Sequence, residues 1–185
     1  NFPIAMTFAP LTGVFAAGNT CMVKMSENSD HLAQLLVEIS SKYFSENKLA
    51  FFRDAGGRGP AFTSLPFDHL FFTGSPTTGK AVMASCAKNL TPVTLELGGK
   101  SPAIIAPDYS ITTAAERVMW VKMFNSGQIC TNVDYLVAPA EKVDEFVREA
   151  KRIANARFPD IFNSGEYTSV IDQRSYDRLL ATLED

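Results

Sequence analysis

The chain has 185 residues, of which 46% are hydrophobic and 20% charged, the balance of a folded protein rather than a disordered one. Lys and Arg total 17 against 20 Asp and Glu, and this net charge of -3 argues against a nucleic-acid partner, because phosphate backbones select an excess of positive charge. The 3 cysteines are an odd number and lie far apart, which argues against a disulfide framework or a zinc ribbon and favours a reducing compartment.

The first half of the chain alternates between patterns typical of helices and of strands. The apolar run 4–17 predicts a helix that ends at Gly18, and the run 20–25 predicts a buried strand. Apolar residues at helical spacing after 26–30 predict an amphipathic helix to about Phe44. The further predictions are strands over 49–52 and 70–73, a loop over 55–60 and a helix over about 77–88. This order implies parallel crossovers, so we expect an α/β fold with a parallel, doubly wound, Rossmann-like sheet.

The uncharged N-terminal stretch 1–23 is not predicted to span a membrane. Pro3 and Pro10 interrupt it, and no basic residues precede it. The chain begins in the middle of a motif with Asn1 rather than Met, which indicates a processed chain or a fragment.

The second half of the chain has a different pattern. Its predicted elements are strands over 93–97 and 103–105, a helix over 112–125, a loop around Cys130, a strand near 135–138 and a helix from Lys142. Gly98 and Gly99 form a turn between the first two strands. We therefore predict that 1–97 belongs to one domain and that 98–185 begins a second α/β lobe.

The segment Gly74–Ala81, GSPTTGKA, follows a predicted strand and opens a predicted helix, as a phosphate-binding loop does. Ala81 stands where that motif needs a hydroxyl for magnesium, which leaves a nucleotide triphosphatase as an unfavoured alternative. The segment also fits an anion site, because Ser75 followed by Pro76 would start a helix with its amides exposed. From this segment alone, a plain helix cap by Ser75 is the favoured interpretation.

Four other residues are candidates for chemistry. Glu27 lies just after the predicted strand 20–25 and Lys24 lies within it, and both fit hydrogen bonds to ribose hydroxyls. Taken alone, such residues are more often a solvated strand end and an acid in the first turn of a helix. Glu96 lies between two leucines, so we expect partial desolvation that raises its pKa towards that of a general base; the alternative is a turn acid paired with Lys100. Cys130 lies in a loop after a long helix.

The other cysteines and the histidines are assigned no chemistry. Cys21 and Cys86 are interpreted as buried and inert, the usual state of a single cysteine. The imidazoles, His31 and His69, do not lie at metal-binding spacing, so no metal is expected.

Five segments together resemble the NAD(P)-dependent aldehyde dehydrogenase family, over essentially the whole chain. They are NFP at 1–3, AAGNTCMVKMSE at 16–27, FTGSPTTGK at 72–80, LELGGKSP at 95–102 and GQIC at 127–130. Five motifs in the family's order are far more specific than any one of them. The agreement is closest to the class 3 branch, which includes bacterial coniferyl aldehyde dehydrogenases.

The resemblance implies oxidation of an aldehyde, aromatic or long-chain, to the carboxylic acid. Cys130 is then the nucleophile, and Glu96 is the base that activates water to hydrolyse the thioester. The side-chain amide of Asn1 and the backbone N–H of Cys130 are the donors to the oxyanion.

The resemblance also implies NAD as cofactor, with NADP possible. Its expected contacts are Lys24 and Glu27 with the adenosine ribose, Ser75 with the pyrophosphate, and in addition Gly74, Gly79 and Leu97. The charge of Glu27 disfavours a 2′-phosphate. A cytoplasmic homo-oligomer is the expected form of the full-length enzyme.

The match to the family has gaps. A Trp before Asn1, the early part of the cofactor domain and a later EIFGP-like motif are all absent, and the chain is less than half of the usual family length. A catalytically incomplete fragment that binds cofactor therefore stays open as an alternative to an active enzyme.

Overall fold

The structure is a computed structural model that describes residues 1–54 and 56–184. The chain divides into two compact units, Asn1–Leu97 and Gly98–Asp185. Each unit is built from parallel strands covered by helices. None of the helices formed by the described residues combines the length and the apolar character that crossing a membrane requires.

The described residues of the first unit form four helices and four strands in alternation. They are α1 (Pro3–Ala16), β1 (Cys21–Lys24), α2 (Asp30–Ser40), β2 (Leu49–Phe52), α3 (Gly59–Thr63), β3 (Leu70–Gly74), α4 (Pro76–Ala87) and β4 (Val93–Leu97). A single 3-10 turn over Glu27–Ser29 precedes α2, and the Ser26 side chain caps it by accepting the Asn28 N–H at 3.3 Å.

The strands of the first unit pair in parallel as two separate sheets. In one sheet β1 lies beside β2, with Lys24 opposite Phe52; in the other β3 lies beside β4, with Gly74 opposite Leu97. Each sheet has its own hydrophobic core. The first core contains Leu11, Met25, Ala33, Leu36, Leu49 and Phe51, and the second contains Leu70, Val82 and Cys86. Because parallel neighbours end at the same edge, the residues that follow β1 and β2, and those that follow β3 and β4, lie together.

The second unit is organised around one parallel pair. Its elements are β5 (Ser101–Ile104), α5 (Ile111–Met123), a 3-10 turn over Phe124–Gly127, β6 (Val133–Val137), a 3-10 turn over Ala140–Lys142, α6 (Val143–Arg157) and α7 (Gln173–Glu184). β5 pairs with β6, with an irregularity between Ser101 and Pro102. Ile105, Ile111 and Ala114 form the core, and Phe146 of α6 packs against them.

Several sequence predictions differ from these elements. The helix expected to reach about Phe44 ends at Ser40, and the strands expected over 103–105 and near 135–138 lie at Ser101–Ile104 and Val133–Val137. The segment 55–60 was expected to be a loop, but α3 begins at Gly59, with Pro60 in its first turn, where a missing N–H costs nothing. The helix expected over 112–125 ends at Met123, because Phe124 adopts an extended backbone at ψ 127°. Helix α7 was not predicted at all.

Candidate active site

The loop that carries Cys130 begins with three consecutive left-handed residues. After α5 ends, Asn125, Ser126 and Gly127 have φ angles of 53°, 56° and 75°. Two of these residues carry a Cβ and are therefore strained in this region of backbone space. Such strain persists only where the surrounding structure enforces it, and it is most common at functional sites. Cys130, which follows Gly127 after Gln128 and Ile129, is exposed.

The side chain of Gln128 holds this loop in place. Its Nε2 donates to the backbone oxygens of Asn125 at 3.0 Å and Ser169 at 3.1 Å. Its Oε1 accepts the backbone N–H of Ile171 at 2.9 Å. One amide therefore joins the start of the loop to the segment before α7, which keeps the backbone next to Cys130 from relaxing out of its strained conformation.

Two glycines allow close packing around the loop. A Cβ on Gly99 would lie 2.9 Å from the backbone oxygen of Cys130, and a Cβ on Gly127 would lie 3.0 Å from the Nδ2 of Asn132. Asn132 is 6% exposed, and among the described residues neither polar atom of its side chain has a hydrogen-bond partner. Sequence reasoning gave Gly99 only a place in a turn and gave Asn132 no role, because the burial of Asn132 and the contact of Gly99 with Cys130 arise only in the folded chain.

The other two cysteines contrast with Cys130. Cys86 is 1% exposed and Cys21 is partly buried, and burial raises the pKa of both thiols. A raised pKa keeps a thiol protonated and unreactive, which agrees with the interpretation of both residues as inert.

The segment Gly74–Ala81 is a strand end followed by a helix, not a phosphate-binding loop. Ser75 is the N-cap of α4: its Oγ accepts the Thr78 N–H at 3.2 Å, and its backbone oxygen accepts the Gly79 N–H at 2.8 Å. The amides that would cradle a triphosphate are thus already part of a helix, so the triphosphatase alternative is wrong. The cap interpretation of Ser75 holds, and the helix N-terminus beside it remains suited to an anion.

Gly74, Gly79 and Leu97 come together around the ends of β3 and β4. Gly74 is paired with Leu97 in the sheet. A Cβ on Gly79 would lie 2.9 Å from the Cδ2 of Leu97, so this glycine allows α4 to approach the strand closely. The structure therefore explains Gly79, which was predicted as a cofactor contact, by its packing against Leu97.

Glu96 is exposed, and the partial burial expected from its leucine neighbours is wrong. In β4 the side chains alternate between the two faces, so that Leu95 and Leu97 are half-buried while Glu96 points to the opposite, exposed face. The alternative of a pair with Lys100 does not hold either, since Lys100 binds Asp134 at 2.9 Å.

Lys24 is the last residue of β1 and Glu27 follows the strand, and the structure adds a third residue. The Nζ of Lys24 lies 2.6 Å from the Oδ2 of Asp54, which follows β2 at the same edge of the sheet. Glu27 is exposed and receives a 3.5 Å hydrogen bond from the hydroxyl of Ser26. Asp54 was missed in the sequence; its place after the neighbouring strand was the available signal.

Asn1 is exposed and directly precedes Phe2, the cap of α1, and it takes part in further interactions. Asn1 and Glu96 belong to the first unit and Cys130 to the second. The contacts given above for Asn1, Glu96 and Cys130 are therefore contacts within the unit to which each residue belongs.

Comparison with known proteins decides the family. The sequence model of the "Aldehyde dehydrogenase family" matches residues 1–185, the whole chain. The chain belongs to the aldehyde dehydrogenase family. Coniferyl aldehyde dehydrogenase of a Pseudomonas species is 45% identical over 100% of this chain and 38% of that protein. The family prediction and the finer likeness to coniferyl aldehyde dehydrogenases are confirmed.

Solved aldehyde dehydrogenases share the fold. The substrate-bound state of Staphylococcus aureus AldH superposes with a TM-score of 0.90 at 32% identity, over 99% of this chain and 40% of that one. The NAD+ complex of the Bacillus cereus enzyme superposes with a TM-score of 0.86 at 26% identity, over 99% of this chain and 38% of that one. These matches confirm the α/β, Rossmann-like fold class. The chain spans about two fifths of the length of these aldehyde dehydrogenases.

Proposed function

We propose that this protein oxidises an aldehyde to the carboxylic acid, with Cys130 as the nucleophile and NAD as the hydride acceptor. The observation that carries the proposal is the exposed thiol of Cys130 at the end of a strained loop held by Gln128. Family membership over the whole chain supports it. The proposed substrate class is an aromatic or long-chain aldehyde, and the likeness to coniferyl aldehyde dehydrogenase supports an aromatic one.

In the first stage, the Sγ of Cys130 in its thiolate form attacks the aldehyde carbon. A C–S bond forms, and the carbonyl electron pair moves to oxygen, giving a thiohemiacetal oxyanion. The Asn1 amide and the backbone N–H of Cys130 donate to this oxygen. A bound nicotinamide would supply the acceptor for the hydride that leaves the same carbon, and Cys130 would then carry a thioester.

In the second stage, Glu96 removes a proton from a water molecule. The water oxygen attacks the thioester carbon, the C–S bond breaks and the electron pair returns to sulfur, so that the carboxylic acid leaves and the thiolate is restored. Glu96 is exposed, so its carboxylate is accessible to water.

The residues present fit a dinucleotide. Lys24 and Glu27 offer donors and an acceptor to ribose hydroxyls, and Ser75 offers a helix N-terminus to the pyrophosphate. Further contacts are proposed for residues around the ends of β3 and β4, Gly74, Gly79 and Leu97. The relative solved as an NAD+ complex supports NAD as the cofactor, and NADP is the alternative.

We further propose that residues 1–97 form part of the cofactor-binding domain and residues 98–185 part of the catalytic domain. The division into two compact units supports this assignment. The three cysteines are free thiols, which supports a reducing, cytoplasmic location. The complete enzyme is proposed to be a homo-oligomer.

The test follows NADH formation by absorbance after mixing the protein with NAD and coniferyl aldehyde. Cys130→Ala should abolish NADH formation and leave NAD binding intact. Cys21→Ala, which removes a partly buried thiol, is the matched control and should keep normal turnover. Glu96→Gln should release one equivalent of NADH in a burst and then turn over about 10² times more slowly or worse, because loss of a general base typically costs that much.

Each outcome has a separate meaning. NADH formation by Cys130→Ala would contradict the nucleophile assignment, and normal steady turnover by Glu96→Gln would contradict the base assignment. Binding of NAD without NADH formation by the unmodified protein would instead support a cofactor-binding fragment without turnover.

A further inference from the structure

The ion pair between Lys24 and Asp54 is better shielded from water than the other ion pairs of the described residues. The side chains are 20% and 9% exposed, and the Nζ–Oδ2 distance is 2.6 Å. The pair Arg53–Asp30 at the same edge is 41% and 43% exposed. An ion pair that is shielded from water holds both side chains in one geometry. An exposed pair is screened by solvent and salt, and it contributes little to stability.

Asp54 also organises the loop that follows β2. Its Oδ1 accepts the backbone N–H of Arg58 at 2.7 Å, while its Oδ2 binds Lys24. The hydrogen bond from Lys24, and then those from the backbone, lower the pKa of the Asp54 carboxyl against the opposing effect of burial. Asp54 is therefore a fixed negative charge with both oxygens engaged, placed beside the amine that we assign to the ribose.

The pairing changes what Lys24 offers to a ligand. An ammonium group has three N–H donors. The bond to Asp54 uses one donor and cancels most of the positive charge, and the other two donors can still reach neutral hydroxyls. A 2′-phosphate would add a charge of about -2 next to Asp54 and the exposed carboxylate of Glu27, without an unpaired ammonium to balance it.

We propose that Asp54 is a specificity-determining residue that selects NAD over NADP by binding and neutralising Lys24. The inference rests on the proposed function, because it takes Lys24 and Glu27 as the ribose contacts. Asp54 acts through Lys24 and is a positioning residue rather than a catalytic one.

Two other cations lie near this edge. Arg53 is held by both carboxylate oxygens of Asp30, at 2.8 and 2.5 Å, so its charge is already balanced. Arg58 is exposed, and its backbone rather than its side chain contacts Asp54. Arg58 is thus a competing cation for a 2′-phosphate, and the experiment has to separate it from Lys24.

The test measures dissociation constants of NAD and NADP by titration calorimetry, in the protein as expressed with any flanking sequence retained. Asp54→Asn keeps an oxygen for the Arg58 N–H but removes the charge. We expect the ratio of the NADP to the NAD dissociation constant to fall about tenfold, the size of effect of one charge at a partly solvated site. Asp30→Asn removes an equal charge from the same edge and releases Arg53, but this pair is exposed and screened by solvent, so the ratio should change less than about twofold.

The outcomes are distinct. An unchanged ratio in Asp54→Asn, or an equal fall in Asp30→Asn, overturns the inference and leaves the proposed function standing. If the gain in NADP affinity disappears when Arg58→Gln is added, Arg58 is the responsible cation and the role of Lys24 is overturned. If the unmodified protein prefers NADP, the inference fails alone; if it binds neither dinucleotide, the cofactor assignment fails with it.

Discussion

The position of Cys130 depends on single residues that are remote from it in sequence. Gly99 lies in the turn before β5, yet its Cα faces the backbone oxygen of Cys130 so closely that an added Cβ would lie 2.9 Å away. A backbone atom cannot move away from a close contact as easily as the end of a flexible side chain can. A methyl group at this position would therefore displace the nucleophile.

This packing gives a prediction with its control in the adjacent residue. Gly99→Ala should lower kcat for aldehyde oxidation at least about tenfold, because a displacement of about 1 Å can cost 10²-fold in rate. Gly98→Ala should keep near-normal kcat, since nothing lies within 4 Å of its added Cβ. Alkylation of Cys130 by iodoacetamide should slow in the first variant only. Equal effects of the two substitutions would show that the contact with Cys130 is unimportant.

Among the secondary-structure elements, the parallel pair of β1 and β2 has the clearest electrostatic role. Two carboxylates lie near its carboxyl end, each with a cation. Lys24 lowers the pKa of Asp54, and Arg53 lowers the pKa of Asp30. A carboxyl whose pKa is lower in the folded state stabilises the fold above its unfolded pKa, and that stabilisation is lost as the pH falls through the folded value.

We therefore expect the free energy of unfolding to decrease as the pH falls below about 4, the ordinary range of Asp. Asp54→Asn should show a smaller decrease, because its amide does not titrate. Urea unfolding of both proteins at a series of pH values measures the difference. As a control, the slope of the free energy of unfolding against urea concentration should be the same in the two proteins, because an equal slope shows that both expose the same surface on unfolding. Parallel curves of stability against pH would contradict the role of this pair.

In the molecule as a whole, apolar surface is left uncovered on α7. Tyr176, Leu179, Leu180 and Leu183 recur at helical spacing, and the helix has no buried residue among those described. Leu183 is 84% exposed. Apolar faces of this kind drive association when nothing covers them. The chain spans 38% of the length of the coniferyl aldehyde dehydrogenase that it matches.

We predict that the 185-residue chain, expressed by itself, self-associates through α7. Light scattering after gel filtration should give a mass above 20.2 kDa that rises with concentration. The double variant Leu180→Glu with Leu183→Glu should lower that mass towards the monomer. Arg178→Glu, also in α7, is the control and should not. A monomer at all concentrations, or association unaffected by the leucine substitutions, would rule out this face.

Most elements and the family were predictable from the sequence, because their signals are local. Hydrophobic spacing and capping residues located α2 and α4, and the strand over 49–52 was predicted with its observed ends. The motifs that resemble the family lie within short segments, so they indicate the family without any knowledge of tertiary contacts.

The surroundings of the candidate site residues came only from the folded chain. Asp54 meets Lys24 because β1 and β2 are parallel and in register, and Gly99 meets Cys130 across a long stretch of sequence. The exposure of Glu96 follows from strand alternation, which outweighs the character of its neighbours. Contacts of this kind depend on strand register and helix packing, and no local pattern of residues encodes them.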